Sequence, residues 1–216
     1  LDAATVTQLK SPAAYGAYNA GITQAFAYLV ANNLMSQADA DAEKAKRTIT
    51  FRAGSGNAVV IMDEYLTNLT GINSALVSMR QATAEDLIVL PASSFIGTAV
   101  GGDPSKVNGV SVPLADKWVL SKNEISELKA ATDAYNAIIQ AAATANDLAF
   151  VDAKAIMTQL STTGITANNY TLNTAFATGG AFSLDGFHPT PRGYALIANE
   201  FIKAINAKYG SNLKGV

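Results

Sequence analysis

The sequence predicts an α/β fold, in which helices pack against a layer of strands. Its C-terminal third has the order helix, strand, loop, helix, which is typical of layered α/β proteins. Apolar residues make up 49% of the 216 positions and charged residues 15%, so the chain can bury a core and is too apolar to be disordered. Because no repeat or change in composition marks a boundary, we expect one domain over residues 1–216.

Residues 1–84 are expected to consist of helices and one hairpin. Over residues 11–47, apolar side chains recur every three or four positions, and Ser36 is suited to cap a second helix whose acidic residues precede its basic ones. Residues 48–63 change to β-branched and aromatic runs on both sides of a Gly-Ser-Gly-Asn turn, which predicts a hairpin. Residues 66–80 return to a short helical pattern.

The middle of the chain is expected to hold a strand, a long loop and a long helix. Residues 85–92 form an apolar run ended by proline, which predicts a buried strand. Residues 95–120 are rich in glycine and predict a largely irregular loop, and loops of this length are usually functional or flexible. The Ser-x-x-Glu pattern at 121–124 predicts the capped start of a long helix. The apolar face of that helix comprises Leu128, Ala131, Tyr135 and Ile138.

A short strand and a final helix complete the predicted elements. The strand candidate is LAFVDA, residues 148–153. Thr190 is suited to cap the final helix, and Pro191 stands at its first position, where a missing N–H costs nothing. Gly210 is a natural end for it. The apolar face of the final helix comprises Tyr194, Ile197, Ala198, Phe201 and Ile205.

The only histidine of the chain, His188, follows Asp185 by three positions. On a tight turn, side chains at this spacing can face each other, with about 5–6 Å between their Cβ atoms. A carboxylate that accepts a hydrogen bond from the imidazole Nδ1–H fixes the tautomer and leaves Nε2 free as a base. Gly186 allows the turn to close, while Pro189 and Pro191 stiffen the chain after the histidine. The pattern favours a preorganised base over the simpler interpretation, a loop histidine that binds a backbone carbonyl.

The segment DGFHPTPRGYALIANEFIKAIN resembles the C-terminal block of the SGNH/GDSL hydrolases, in which Asp-x-x-His precedes a final helix. Asp185, His188 and Pro189 carry the resemblance, and Gly193 and Tyr194 stand where that helix begins. Upstream, AFVDA resembles the strand that precedes the block, and VPLADKWVL is similar to a subgroup of bacterial lipase-like members. The resemblance extends from residue 85 to the end of the chain.

This resemblance implies a fold, a chemistry and a location. The fold is the flavodoxin-like three-layer α/β/α arrangement, and the activity is hydrolysis of carboxylic esters in a small-molecule acyl substrate. In the family, a serine attacks the ester, the histidine takes its proton, the aspartate orients the histidine, and an oxyanion hole supports the tetrahedral intermediate. The resemblance assigns the base role to His188 and the orienting role to Asp185. It implies no cofactor and no metal, and it favours a secreted or cell-envelope location.

The chain departs from the family pattern at the nucleophile. The Gly-Asp-Ser block that holds the family's serine is absent, and so are the glycine and Gly-x-Asn-Asp blocks that supply the other oxyanion donors. Ser55, within Gly-Ser-Gly-Asn, is expected to be a turn residue. Ser183 is expected to be another, too close to Asp185 along the chain to approach Nε2. Ser93 and Ser94 are the next candidates, but serines are common in loops that follow strands.

The simplest interpretation is that this chain is the C-terminal part of a longer hydrolase, whose N-terminal part carries the nucleophilic serine. The start at Leu1, without an initiator Met, is consistent with a processed chain, an expressed fragment or a piece of something longer. Residues 1–84 are then an insertion, and residues 85–216 hold the last core strand, the long loop, the Asp-x-x-His block and the final helix. The alternative is a non-catalytic module that binds carbohydrate or a partner protein and has lost the nucleophile.

Composition argues against several other classes of function. The net charge of −2 and the pI of about 5.4 provide no basic surface for nucleic acid. The longest apolar stretches are far shorter than the roughly 18 residues that a membrane span needs. One histidine and no cysteine leave no plausible zinc site. The neighbouring carboxylates of Asp63 and Glu64 would point to opposite faces of a strand, so they are not expected to act as a pair.

Overall fold

The computed structural model describes residues 1–216, which divide into two units. The first unit is Leu1–Ala130 and the second is Ala131–Val216. Both units contain helices and strands, and one long helix has residues in each. None of the helices combines the length and the apolarity that crossing a lipid bilayer requires.

Three helices begin the first unit: α1 (Ala3–Leu9), α2 (Tyr15–Ala31) and α3 (Gln37–Arg47). The side chains of Asp2 and Ser36 cap α1 and α3, each accepting a hydrogen bond from the backbone N–H three residues further on. Ser36 therefore caps a helix as the sequence predicts. The apolar face of α2 lies in the core of this unit. Core residues with almost no exposed surface include Ile22, Phe26, Ile49, Val60 and Leu69.

Short strands make up the rest of the first unit. They are β1 (Val60–Met62), β2 (Met79–Gln81), β3 (Leu87–Ile88), β4 (Ala99–Val100), β5 (Asp103–Val107) and β6 (Val119–Leu120). Strand β1 pairs with β2, β3 with β6 and β4 with β5, all antiparallel. The guanidinium of Arg80 on β2 binds the buried carboxylates of Asp63 and Asp86. Buried charges are tolerated there because each has a partner.

The hairpin expected at residues 48–63 is wrong. The side chain of Asn57 takes the place of a strand ladder, because its amide binds both the backbone N–H and the backbone carbonyl of Arg52. The strand residue Val60 instead makes its backbone hydrogen bonds with Gly109 and Leu114, far along the chain. The Gly-Ser-Gly-Asn pattern suggested that β1 pairs with the segment just before the turn. Its actual partner, β2, lies further along the chain.

The helix expected at residues 66–80 is also wrong. The side-chain oxygens of Asn68 and Asn73 each accept a hydrogen bond from the backbone N–H two residues further on. Such local bonds replace the helical ones and favour turns. The segment therefore consists of turns that lead into β2, although its apolar spacing fits a helix.

Residues 85–120 differ from expectation in two places. Only Leu87 and Ile88 of the predicted buried strand pair with another strand, and Leu87 is 57% exposed. A 3₁₀ turn at Leu90–Ser94 comes next, with Pro91 in its first turn. The loop expected at 95–120 contains the β4–β5 hairpin and a second 3₁₀ turn, so it is more regular than predicted.

The second unit contains three helices and one hairpin. They are α4 (Lys122–Ala145), which begins in the first unit, α5 (Ala153–Thr162), β7 (Ile165–Ala167), β8 (Tyr170–Leu172) and α6 (Pro191–Tyr209). The predicted capping box of α4 is confirmed, because the backbone N–H of Ser121 donates to the carboxylate of Glu124 at 2.7 Å. Strands β7 and β8 pair antiparallel through a turn at Asn168 and Asn169. The small core of the unit comprises Leu160, Leu172, Ala181 and Leu196.

Residues 148–153 do not form a strand. The segment has no ladder partner, and the backbone N–H of Ala149 binds the hydroxyl of Tyr209 instead. The predicted apolar faces of α4 and α6 are present but largely uncovered. Side chains at least half exposed on these faces are Leu128, Tyr135, Ile138, Tyr194 and Phe201.

Candidate active site

A closed turn before α6 holds the lone histidine. The chain on the two sides of this turn forms an antiparallel bridge between Phe182 and Pro189. The backbone N–H of Ser183 donates to the carbonyl of His188 at 2.8 Å, and the N–H of Gly186 donates back to the carbonyl of Ser183 at 3.0 Å. Gly186 has φ of 73°, a left-handed conformation that favours glycine. The sequence therefore closes a short, internally bonded loop around Asp185.

The structure brings Asp185 and His188 into direct contact, as their spacing predicts. Oδ2 of Asp185 lies 2.7 Å from Nδ1 of His188. Oδ1 of the same carboxylate accepts the backbone N–H groups of Phe187 and His188, each at 2.9 Å. Because an ionised carboxylate only accepts hydrogen bonds, the neutral imidazole carries its proton on Nδ1 and its lone pair on Nε2. The side chain of His188 is 65% exposed, and no hydrogen bond occupies Nε2.

The carboxylate of Asp185 is held in its ionised form. Its pKa is well below the usual range for an aspartate, first because of the hydrogen bond from the Ser183 hydroxyl. The hydrogen bond with His188 and the backbone N–H groups of Phe187 and His188 lower it further. The group therefore stays a pure acceptor throughout the neutral pH range.

Helix α6 anchors the end of this turn. The hydroxyl of Thr190 accepts the N–H of Gly193 at 3.1 Å and donates to the carbonyl of Gly180 at 2.6 Å. The predicted N-cap at Thr190 and first-turn proline at Pro191 are thereby confirmed. Gly193 packs so closely that an added Cβ would lie 2.3 Å from the carbonyl oxygen of Ala181. The start of α6 is thus fixed to the chain that precedes the turn.

Comparison with known proteins identifies a family for this chain. The family model described as GDSL-like Lipase/Acylhydrolase matches residues 28–201. The chain belongs to the GDSL-like lipase and acylhydrolase family. The match contains Asp185 and His188, and it begins within the segment that the sequence suggested was an insertion. Searches of curated proteins and of solved structures find no match.

In a GDSL-like hydrolase with a histidine base, a serine nucleophile must come within hydrogen-bond reach of that histidine. The second unit contains Ser161, Ser183 and Ser211. The hydroxyl of Ser161 binds a backbone carbonyl within α5, and that of Ser211 binds the side chain of Asn206. The hydroxyl of Ser183 donates to Oδ1 of Asp185 at 2.6 Å. None of these three is bonded to Nε2 of His188.

The other candidate serines of this GDSL-like chain lie in the first unit. The hydroxyls of Ser93 and Ser94 donate to the carbonyls of Leu90 and Pro91, inside the 3₁₀ turn that contains both serines. Ser55 is an exposed residue of the loop between Arg52 and Asn57. All three therefore have positions that ordinary turn residues occupy.

An apolar groove lies beside the His188 turn, within the second unit. It has a volume of about 120 Å³ and is lined almost entirely by carbon atoms of α5, α6 and the chain on either side of the turn. Val151, Met157, Ile197 and Phe201 contribute to its walls. Phe187, which is 76% exposed, places its ring edge-on to the imidazole, with 5.1 Å between the ring centroids.

One polar contact at this site is not predicted by the sequence. Ser183 lies in the turn, as expected, and its hydroxyl is also a direct partner of the Asp185 carboxylate. The only signal in the sequence was a serine two positions before an aspartate, and this pattern is common in turns. The conformation of the turn, which Gly186 and the Phe182–Pro189 bridge determine, was needed to identify the contact.

Proposed function

We propose that this chain supplies the base and the orienting carboxylate of a carboxylic-ester hydrolase with a Ser-His-Asp triad. The observation that carries the proposal is the 2.7 Å contact between Asp185 Oδ2 and His188 Nδ1, with the histidine side chain largely exposed and Nε2 unbonded. Membership of a family of lipases and acylhydrolases supports the reaction class. Asp185 and His188 are arranged as the orienting carboxylate and the base are in acyl transfer: the carboxylate binds Nδ1, and Nε2 remains unbonded.

The nucleophile in this proposal is a serine outside residues 1–216. Its hydroxyl oxygen forms a bond to the ester carbonyl carbon while Nε2 of His188 takes the hydroxyl proton. The tetrahedral intermediate then breaks its bond to the alcohol, which leaves with the proton that Nε2 returns. Water repeats the sequence on the acyl-serine, so the products are an acid and an alcohol and the histidine is regenerated. Asp185 stabilises the imidazolium without itself becoming protonated.

The part of the hydrolase that carries this serine also completes the fold. We expect its strands to form, with residues 148–153, the parallel sheet of a three-layer α/β/α domain. Two observations support this arrangement: residues 148–153 lack a ladder partner, and the apolar faces of α4 and α6 are exposed. The groove lined by Val151 and Phe201 would receive apolar side chains of such a sheet. Burial of that surface, at about 25 cal/mol per Å², would drive the association.

The experiment replaces His188 by alanine in the enzyme expressed from its complete coding sequence. With an activated aryl ester as substrate, we expect kcat to fall by about 10²–10⁴-fold at nearly constant KM, because general-base catalysis contributes that much. Added imidazole should restore part of the activity of His188→Ala by replacing the missing base.

The result separates the two functions that the sequence leaves open. Near-normal hydrolysis by His188→Ala would make the histidine structural and would overturn the proposal. A complete wild-type protein that hydrolyses no ester and contains no Gly-Asp-Ser block would instead support the non-catalytic binding module.

A further inference from the structure

Two side chains bind the carboxylate of Asp185, one at each oxygen. The imidazole of His188 contacts Oδ2 at 2.7 Å, and the hydroxyl of Ser183 donates to Oδ1 at 2.6 Å. The remaining donors to Oδ1 are the backbone N–H groups of Phe187 and His188, which come from the turn itself. Ser183 is therefore a side chain that can be changed without removing any backbone bond of the turn.

The backbone holds Ser183 in the register that this contact needs. Its N–H donates to the carbonyl of His188, and its own carbonyl accepts the N–H of Gly186. The bridge between Phe182 and Pro189 places Ser183 directly beside the turn. A hydroxyl with a fixed backbone and an ionised acceptor forms a strong, short hydrogen bond.

We propose that Ser183 is a positioning residue, whose hydroxyl fixes the carboxylate plane of Asp185 so that Oδ2 meets the imidazole Nδ1–H. The terminal torsion of an aspartate is soft, so a donor on Oδ1 limits the rotation that would break the contact on Oδ2. The consequence is that the proton stays on Nδ1 and the lone pair stays on Nε2. The inference rests on the proposed function, because Ser183 acts through His188.

The low pKa of Asp185, for which the Ser183 hydroxyl is the first cause, agrees with this role. The same contact argues against Ser183 as the attacking group. Its proton is donated to the carboxylate that serves the imidazole, and Nε2 is on the other side of the ring from Nδ1.

A direct test is feasible in the complete enzyme, because its His188→Ala variant identifies the NMR signals of this histidine. With ¹⁵N-labelled histidine, the imidazole signals that His188→Ala loses belong to His188, and their shifts report which nitrogen carries the proton. We expect the neutral imidazole of the wild type to be mainly the Nδ1–H tautomer, and that of Ser183→Ala to shift toward a mixture of tautomers. Ser183→Thr, which keeps the hydroxyl, should resemble the wild type. Ser161→Ala is the matched control, because that hydroxyl binds only a carbonyl within α5.

Kinetics in the complete enzyme provide the second readout. Ser183→Ala should lower kcat about three- to tenfold at unchanged KM, because one charge-assisted hydrogen bond is lost while the base remains. Ser183→Thr should recover most of this loss. If Ser183→Ala does not fold, Ser183→Cys keeps the volume with a weak donor and should show the same changes.

The outcomes distinguish this inference from the proposed function. An unchanged tautomer in Ser183→Ala overturns the inference, and so does an unchanged kcat when His188→Ala has lost its activity. Full activity of His188→Ala overturns the proposed function instead. If Ser183→Ala shifts the tautomer and lowers kcat, and Ser183→Thr recovers both, the result supports the inference and the proposed function together.

Discussion

At the scale of single residues, the candidate site depends on very short-range interactions. All hydrogen bonds to the Asp185 carboxylate come from residues 183–188. This local origin explains why the sequence alone predicted the contact between Asp185 and His188. The role of Ser183 could not be predicted in the same way, because a serine hydroxyl selects its acceptor only once the turn has a defined conformation.

Asp185→Asn tests the orienting role in the complete enzyme. An amide at this position can present its NH₂ group to the imidazole, which favours the wrong tautomer and removes the negative charge. We expect kcat to fall by about 10²–10⁴-fold, and by no more than in His188→Ala. Asp152→Asn is the matched control, since that carboxylate caps α5 and should leave kcat unchanged. A loss larger than that of His188→Ala would contradict the assigned roles.

At the scale of elements, the caps of helices were predicted better than the pairing of strands, although the helix expected at residues 66–80 is absent. The caps at Ser36, Ser121 and Thr190 are all formed, because a cap joins residues three apart in the sequence. The partner of a strand can lie far along the chain: β1 pairs with β2, and the backbone N–H of Val60 donates to the carbonyl of Gly109, so the local pattern at residues 48–63 suggested a wrong pairing. At residues 52–57 and 66–80, asparagine side chains form hydrogen bonds with the backbone in place of the expected strand and helix bonds. The spacing of apolar residues does not indicate these side-chain bonds.

Gly193→Ala tests how α6 is fixed to the turn. Alanine is the better helix former by about 1 kcal/mol, but its Cβ would collide with the carbonyl of Ala181. We expect the free energy of unfolding to fall by about 1–3 kcal/mol, measured by urea denaturation. Gly71→Ala is the control, because no atom lies within 4 Å of its new Cβ and its stability should hardly change. A more stable Gly193→Ala protein would show that the close packing at Ala181 is absent.

At the scale of the whole molecule, the fold class was predicted only in outline. Helices and strands are both present, but the strands form four separate antiparallel pairs. Patterns within the chain identified the apolar faces of α4 and α6, but a local pattern does not indicate what packs against such a face. The exposed side chains of Tyr135, Ile138 and Phe201 are therefore central to the proposal that strands from elsewhere complete the domain.

The central claim is that His188 activates a serine outside residues 1–216. The most direct measurement is mass-spectrometric mapping of a serine-directed phosphonate, applied to the complete enzyme, to its His188→Ala variant and to the 216-residue chain alone. We expect one labelled serine outside residues 1–216 in the complete enzyme, much slower labelling in His188→Ala, and no labelling of the isolated chain. Stoichiometric labelling of Ser55, Ser93 or Ser94 would contradict the account, because the nucleophile would then lie within this chain.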